Sequence, residues 1–415
     1  MPQTHIEKLI FGGQALTRID GKAVFVWGAL PDEEVEIEYI NEKKNFAEAI
    51  ATKILKPSID RVPPRETNFL ATSPWQILSW SAENKWKQQI AIETYGRHGG
   101  LILQDNKPAI AYDEKQYEYR NKIEFYFDSL PNGKTSLAFL ERGNIKKIPV
   151  KDSALAKPIL NKYAQYILAQ INKNNINPLS LDKLVLKTNQ KNQVIAGLFS
   201  HKKIDDIEIL LNDELIGFGI YSSPNNQPIL TKGQLFLEEN ILQSKLKYDL
   251  FSFFQINQPM FEMALKDIAV FAGPKTALID YYAGVGAISL PISQNRESTQ
   301  LIDSNCNAIE IAEQNIALNK LTNCEATCAK SEEMLEKISN DKIIILDPPR
   351  AGLDKKLINR LLTKRPPRII YLSCDLSTQA RDIYHLGQAY KVSFLKLYNF
   401  FPKTPHIEGL CVLDL

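Results

Sequence analysis

The spacing of apolar residues changes character twice along the chain. From His5 to about Pro57, short apolar runs (Ala23 to Trp27, Val35 to Ile40, Ala47 to Ile54) are separated by Gly12-Gly13, Asp20-Gly21 and Leu30-Pro31-Asp32. Period-two runs broken by turn residues predict a small β-barrel over residues 1–57. After a linker at Arg61-Val62-Pro63-Pro64-Arg65, the positions of Trp80, Trp86, Ile90 and Ile92 predict a helix from Trp75 to Arg97. Strands at Ile123 to Phe127 and Val194 to Phe199, with a helix at Ile159 to Ile171, predict an α+β central domain over 66–225. Across 226–415 strand and helix alternate: strand Thr276 to Asp280, a helix from about Ala287, strand Thr299 to Asp303, helix Asn307 to Asn319, and strands Lys342 to Asp347 and Arg368 to Ser373. That alternation predicts an α/β domain with a mostly parallel sheet covered on both faces, and ligands at the carboxyl ends of its strands.

Composition narrows the partners only slightly. The 415 residues are 44% hydrophobic and 24% charged, an ordinary globular balance. Lys and Arg number 50 against 48 Asp and Glu, so net charge neither marks nor excludes a nucleic-acid partner. The acidic stretch Asp32 to Glu38 argues against phosphate binding by bulk charge at that end. All five cysteines (Cys306, Cys324, Cys328, Cys374, Cys411) lie in the last third, at spacings unlike a zinc or disulfide framework. Free thiols and a cytoplasmic location are therefore expected. Met1-Pro2-Gln3-Thr4-His5 leads into no apolar signal segment, and no run is long enough to span a bilayer, so no membrane association is expected.

Four sequence features suggest chemistry. The strand Leu278-Ile279-Asp280 runs into Tyr281-Tyr282-Ala283-Gly284-Val285-Gly286, a turn able to approach a ligand closely. Ser289 stands where a third glycine would complete a dinucleotide fingerprint, which disfavours a pyrophosphate. Asp303, ending the next strand, is placed to accept from ribose hydroxyls, and together these features fit S-adenosyl-L-methionine better than NAD; the competing role for Asp303 is a helix cap. Asp347-Pro348-Pro349-Arg350 puts a carboxylate and a rigid turn at a strand tip. Amino-directed methyltransferases carry an aromatic residue where Arg350 stands, which argues against methylation of amino nitrogen.

Cys374 in Ser373-Cys374-Asp375 and Glu408 in Phe401-Pro402-Lys403-Thr404-Pro405-His406-Ile407-Glu408 form a candidate pair. A thiolate added to carbon 6 of a pyrimidine makes carbon 5 nucleophilic, and a carboxylate then removes the carbon 5 proton. The bland alternatives are a small buried hydrophobe for Cys374 and a solvated strand start for Glu408.

Taken together with Phe254-Gln255-Ile256-Asn257, Asp347 to Leu353 and Ser373 to Asp382, these residues resemble the RNA uracil-5-methyltransferase family over nearly the whole chain. The resemblance implies a Rossmann-like methyltransferase domain behind a TRAM-like barrel and the central domain. It implies Cys374 as nucleophile and Glu408 as proton acceptor, with Gln255, Tyr282, Gly284, Asp303 and Asp347 at the S-adenosyl-L-methionine site. Tyr119-Arg120-Asn121-Lys122 would help position RNA and an extruded uridine. The TRAM-like domain favours 23S ribosomal RNA over transfer RNA; cytosine methylation and an inactive RNA-binding assembly factor are the competing readings. No protein partner is predicted. Relatives hold a four-iron cluster on cysteines, whereas Glu66, Thr72, Trp75 and Ser153 fall at those positions here, so no iron–sulfur cluster or other metal is expected. Asp303 replaces the family's usual Glu, Ala283 a frequent Cys, and Leu376-Ser377 the usual Pro-Ala.

Overall fold

Three apolar strand runs, Leu278-Ile279, Ile343-Ile344-Ile345-Leu346 and Ile369-Ile370-Tyr371-Leu372, are buried on both sides, as central parallel strands require. In the computed structural model, which describes residues 1–103, 105–142, 146–204 and 207–415, they sit in one eight-stranded sheet. Its order is Cys324–Cys328, Ser298–Asp303, Ala277–Tyr281, Lys342–Leu346, Arg368–Ser373, Glu408–Asp414, Lys391–Tyr398 and Ala109–Ala111. The first five are parallel, and Glu408–Asp414 enters antiparallel to Arg368–Ser373. Successive side chains alternate between two cores. Leu278, Ile343, Ile345, Ile370 and Leu372 pack with Met260, Leu265 and Ile268 of helix Gln258–Ala272 and with Ala308 and Ala312 of helix Cys306–Leu318. Ile279, Ile344, Leu346, Ile369 and Tyr371 pack with Tyr95, Leu357, Leu361, Leu376 and Ile383 on the opposite side. The domain is thus an α/β doubly wound sheet of Rossmann type, as its alternating pattern predicts.

A seven-stranded sheet follows the order Lys147–Val150, Thr135–Leu140, Lys122–Ser129, Leu181–Thr188, Val194–Ser200, Leu215–Ser222, Pro228–Gly233. Helix Pro158–Lys173 covers it with Leu160, Tyr163, Ala164, Ile167 and Ile171. Residues 3–56 form a six-stranded sheet over a core that includes Val24, Val26, Val35 and Ile37. No helix among the described residues is long and apolar enough to cross a membrane.

The structure departs from the pattern in four places. Helix Trp80–Gly99 and strand Ala109–Ala111 join the eight-stranded sheet rather than the central layer, because Ala91 and Tyr95 are buried against Leu376 and Ala380 and because Ala109–Ala111 pairs with Lys396–Tyr398. The 225/226 boundary also shifts, since Pro228–Gly233 is the edge strand of the central sheet. The helix expected from Ala287 is only the short 3-10 turn Leu290–Ile292; Pro291 supplies no N–H there and the chain returns to a strand by Ser298. Helix Gln258–Ala272 carries Pro259 as its second residue, in the first turn where proline is tolerated.

Gln379 knits the strand pair that matters most for the site: its Nε2 donates to Tyr371 O at 2.8 Å and to Gly409 O at 3.0 Å, while Tyr95 Oη donates to its Oε1. A Cβ at Gly409 would stand 2.4 Å from Tyr95 Oη and 2.7 Å from Gln379 Oε1. Gly409→Ala is therefore expected to lower unfolding stability by about 1–3 kcal/mol through overpacking. Urea denaturation checks this, and a variant as stable as the parent contradicts it.

Candidate active site

The antiparallel register pairs Ser373 with Gly409. Cys374 and Glu408 are the next residues beyond that pair in their two chains, and Glu408 is near enough to act on the Cys374 thiol. Two residues thirty-four positions apart in sequence thus share one edge of the sheet because a single reversed strand brings the second back beside the first. Cys374 is half-buried and not sealed under hydrocarbon. Glu408 is buried, 3% exposed, and also pairs with Tyr398.

The same carboxyl edge carries the other predicted residues. Gly284 adopts φ 55° after Tyr282 at φ 64°, and a Cβ there would meet nothing within 4 Å, so the turn faces open space. Asp303 Oδ2 accepts from Gly284 N at 2.8 Å, and its Oδ1 accepts from Asn305 N at 2.8 Å. The helix cap that competed for Asp303 is supplied by Asn305, whose side chain accepts from Ala308 N. Tyr282 Oη accepts from Ser331 Oγ at 3.0 Å. Asp347 follows strand Lys342–Leu346. Gln255 is buried, and Asn121 Nδ2 holds its carbonyl at 3.0 Å while Asn121 N donates to Ile256 O. The Tyr119 to Lys122 segment accordingly braces the Gln255 segment from the central sheet, and Tyr119 Oη donates to Pro402 O at 3.1 Å.

The electrostatics are set by three acids at this edge of the sheet, Asp280 and Glu408 buried and Asp347 half-buried. Burial pushes Asp280 up to about 7, with Asp303 adding to it. Burial and the neighbouring Asp280 push Asp347 up to about 7. Burial, then Asp347, hold Glu408 well above the carboxylate range, while Arg350 opposes them. Burial, Glu408 and Asp347 raise the Cys374 thiol to about 12, again against Arg350. Glu408 Oε2 and Asn257 Oδ1 have no hydrogen-bond partner among the described residues, and at Asp280 Ser289 works against the burial that raises it. Unpaired buried acceptors cost about 1–3 kcal/mol each, so this edge fits a cationic ligand bearing donors. Asp280 and Arg350 carry much of this field, yet their only sequence signal is adjacency to a strand tip. His406 is lowered to about 3 by burial and by Arg350, Lys87, Arg120 and Arg142, and stays neutral.

Two cysteine expectations meet the structure differently. The five cysteines are not all free: Cys306 and Cys328 form a disulfide with Cα atoms 5.0 Å apart. The parallel ladder pairs Asp303 with Cys328, and Cys306 opens the helix just after Asp303, a meeting that their separation of 22 residues does not reveal. Where relatives place cluster ligands, Glu66 instead accepts from Ala154 N at 2.7 Å, Thr72 Oγ1 at 3.0 Å and Gln76 Nε2. Gln76 Nε2 also donates to Ser73 Oγ at 2.6 Å. Trp75 turns away into the N-terminal core, donating from Nε1 to Gly13 O.

A doubly wound sheet whose last strands reverse, with acids and a glycine turn along its carboxyl edge, defines a Rossmann-like methyltransferase. The model of the tRNA (uracil-5-)-methyltransferase family matches residues 101–414, and the chain belongs to that family. It is 30% identical to an uncharacterized RNA methyltransferase of Fusobacterium nucleatum over 99% of this chain and 95% of that one. Its identity with another from Aquifex aeolicus is 27%, over 99% and 97%. In fold it is similar to a Pyrococcus abyssi tRNA (uracil-54, C5)-methyltransferase solved with S-adenosyl-L-homocysteine: TM-score 0.82, 21% identity, 99% of this chain and all of that one.

The raised acids make a linkage prediction. A carboxyl whose folded pKa exceeds its unfolded value contributes stability that is full below the unfolded value and lost as pH rises through the folded one. Asp280, raised from 3.8 to about 7, therefore costs the free enzyme stability as pH climbs from about 4 to about 7. Asp280→Asn should flatten that part of the melting-temperature profile; an unchanged slope in calorimetry contradicts the assignment.

Proposed function

We propose that this enzyme methylates carbon 5 of a uridine in structured RNA, with Cys374 as covalent nucleophile and Glu408 as the base. The observation that carries this reading is the pairing of Ser373 with Gly409, the sequence neighbours of a half-buried thiol and a buried carboxylate. The methyl donor is S-adenosyl-L-methionine. Gly284 and Asp303 would hold its ribose end, with Tyr282, Gln255 and Asp347 around the remainder. Bound there, the donor supplies an electrophilic methyl group on a sulfonium cation.

The chain's own residues supply the rest. The acids are raised by burial and by neighbouring acids, and a cation beside them would offset the charge that Glu408 and Asp347 set against the Cys374 thiolate. Cys374 Sγ adds to carbon 6 of the uracil, and the electron pair moves to carbon 5, which takes the methyl group. Glu408 then accepts the carbon 5 proton, the Sγ–C6 bond breaks, and 5-methyluridine is released. A carboxylate with a raised pKa is a stronger base once ionised, which suits removal of a carbon-bound proton. Such chemistry needs the base out of its stack, and the braced segment at Tyr119 to Lys122 lies beside the pocket to receive it. A cytoplasmic place of action goes with an RNA substrate.

Ribosomal RNA was favoured by the N-terminal domain. A full-length likeness in fold to a transfer-RNA enzyme removes that distinction, and mapping 5-methyluridine in ribosomal and transfer RNA, with and without this protein, identifies the target. Loss of 5-methylcytidine instead would overturn the uracil assignment. Cys374→Ala should form no adduct with 5-fluorouridine RNA and show no turnover, with cofactor affinity by calorimetry unchanged. Glu408→Gln should lose about 10²–10⁴-fold in kcat while methylated protein–RNA adduct accumulates on denaturing gels. A freely cycling variant of either kind refutes its role.

A further inference from the structure

Glu408 has one unpartnered carboxyl oxygen, so its own hydrogen bonds do not fix its position. What fixes it is the backbone around it. Tyr398 and Glu408 pair across the ladder, and the chain between them runs through Asn399 to Ile407. That connection is gripped by charged side chains from helix Trp80–Gly99, all of them inaccessible: Glu83 0% and Lys87 1% exposed, with Lys403 itself at 2%. Glu83 accepts Lys403 N on both oxygens at 3.0 and 3.1 Å and Asn399 Nδ2 at 3.1 Å. Lys87 Nζ lies 2.9 Å from Glu83, and donates to Asn399 Oδ1 at 2.6 Å and Phe401 O at 3.0 Å. Lys403 Nζ returns to Leu78 O at 2.9 Å.

Burying charges is costly unless every partner is met, and hydrophobic packing at these positions would serve stability as well. The contacts instead converge on the backbone of one segment, holding Lys403 at φ 63°, a left-handed conformation rare for a lysine. We propose that Glu83, held in place by Lys87, is a positioning residue for proton removal: it fixes the Asn399–Lys403 backbone so that Glu408 meets the carbon 5 proton. The proposal rests on the assignment of Glu408 as the base. It goes beyond that assignment by placing the control of one chemical step on a helix whose charged groups touch no reacting atom. Proton abstraction is steeply sensitive to placement, and a displacement near 1 Å costs on the order of 10²-fold.

The test separates the two halves of the reaction in the full-length enzyme with unmodified uridine RNA. Glu83→Gln is expected to lower kcat by about 10²-fold with KM for RNA and for cofactor unchanged, and to accumulate methylated covalent adduct as Glu408→Gln does. Glu83→Asp, which keeps the charge, should restore part of the rate. A folded Glu83→Gln protein that turns over normally, or that loses adduct formation and release together, overturns the proposal. If Glu83→Gln does not fold, Glu83→Gln combined with Lys87→Met removes both charges and is judged by the same criteria; failure of that variant to fold makes the role purely structural and also overturns it. Glu408→Gln run in parallel distinguishes the levels. If Glu408→Gln builds no adduct, the base assignment has failed; if it does and Glu83→Gln does not, only the positioning role has failed.

Discussion

One strand pairing governs the chemistry of this molecule. Arg368–Ser373 and Glu408–Asp414 run antiparallel, and side-chain period in a strand is two, so a slip of one residue would turn Glu408 to the other face. The register is over-determined. Gln379 bonds both strands, and Gly409 leaves no room for a side chain beside Tyr95. Alternate residues of each strand are also committed to one of two cores on opposite faces. The geometry of this sheet edge is therefore a by-product of packing constraints that would exist without any substrate.

The second constraint is electrostatic. Asp280, Asp347 and Glu408 share the sheet edge at the point where the strand order reverses, where an open α/β sheet leaves room for ligands. Three acids so close raise one another, and the thiol with them. Left to themselves these acids favour protons; a cationic ligand exchanges those protons for its own charge. A cation seated there would offset the field that the ionised acids set at the thiol.

How much of this was legible in the sequence depends on range. Strand tips followed by Gly284, Asp303 and Asp347 were readable because a buried parallel strand needs a long apolar run, and the residue after it lies at the ligand edge. Cys374 and Glu408 were readable as chemistry, though their register was not, since strand order is a tertiary property. Helix Trp80–Gly99 was predicted as a helix from its spacing, while its alliance with the eight-stranded sheet came from Tyr95 and Ala91, which look like any core residues. The short turn at Leu290–Ile292 was misread as a helix because its apolar spacing outweighed the one residue, Pro291, that argues against it. The Cys306–Cys328 bond was invisible because adjacent parallel strands, not sequence separation, bring the two together.

Three glutamates show a common way of holding irregular chain in a protein whose described residues form four sheets. Glu33, fully buried, accepts from Leu30 N at 2.8 Å and Ser58 N at 3.1 Å, and takes the guanidinium of Arg61. Glu66 joins Thr72 and Gln76 to Ala154, across 88 residues. Glu83 joins helix Trp80–Gly99 to the Asn399–Lys403 segment, across 320 residues. In each case one carboxylate with several acceptor sites satisfies backbone or side-chain donors from two distant segments, which an apolar residue cannot do for buried N–H groups.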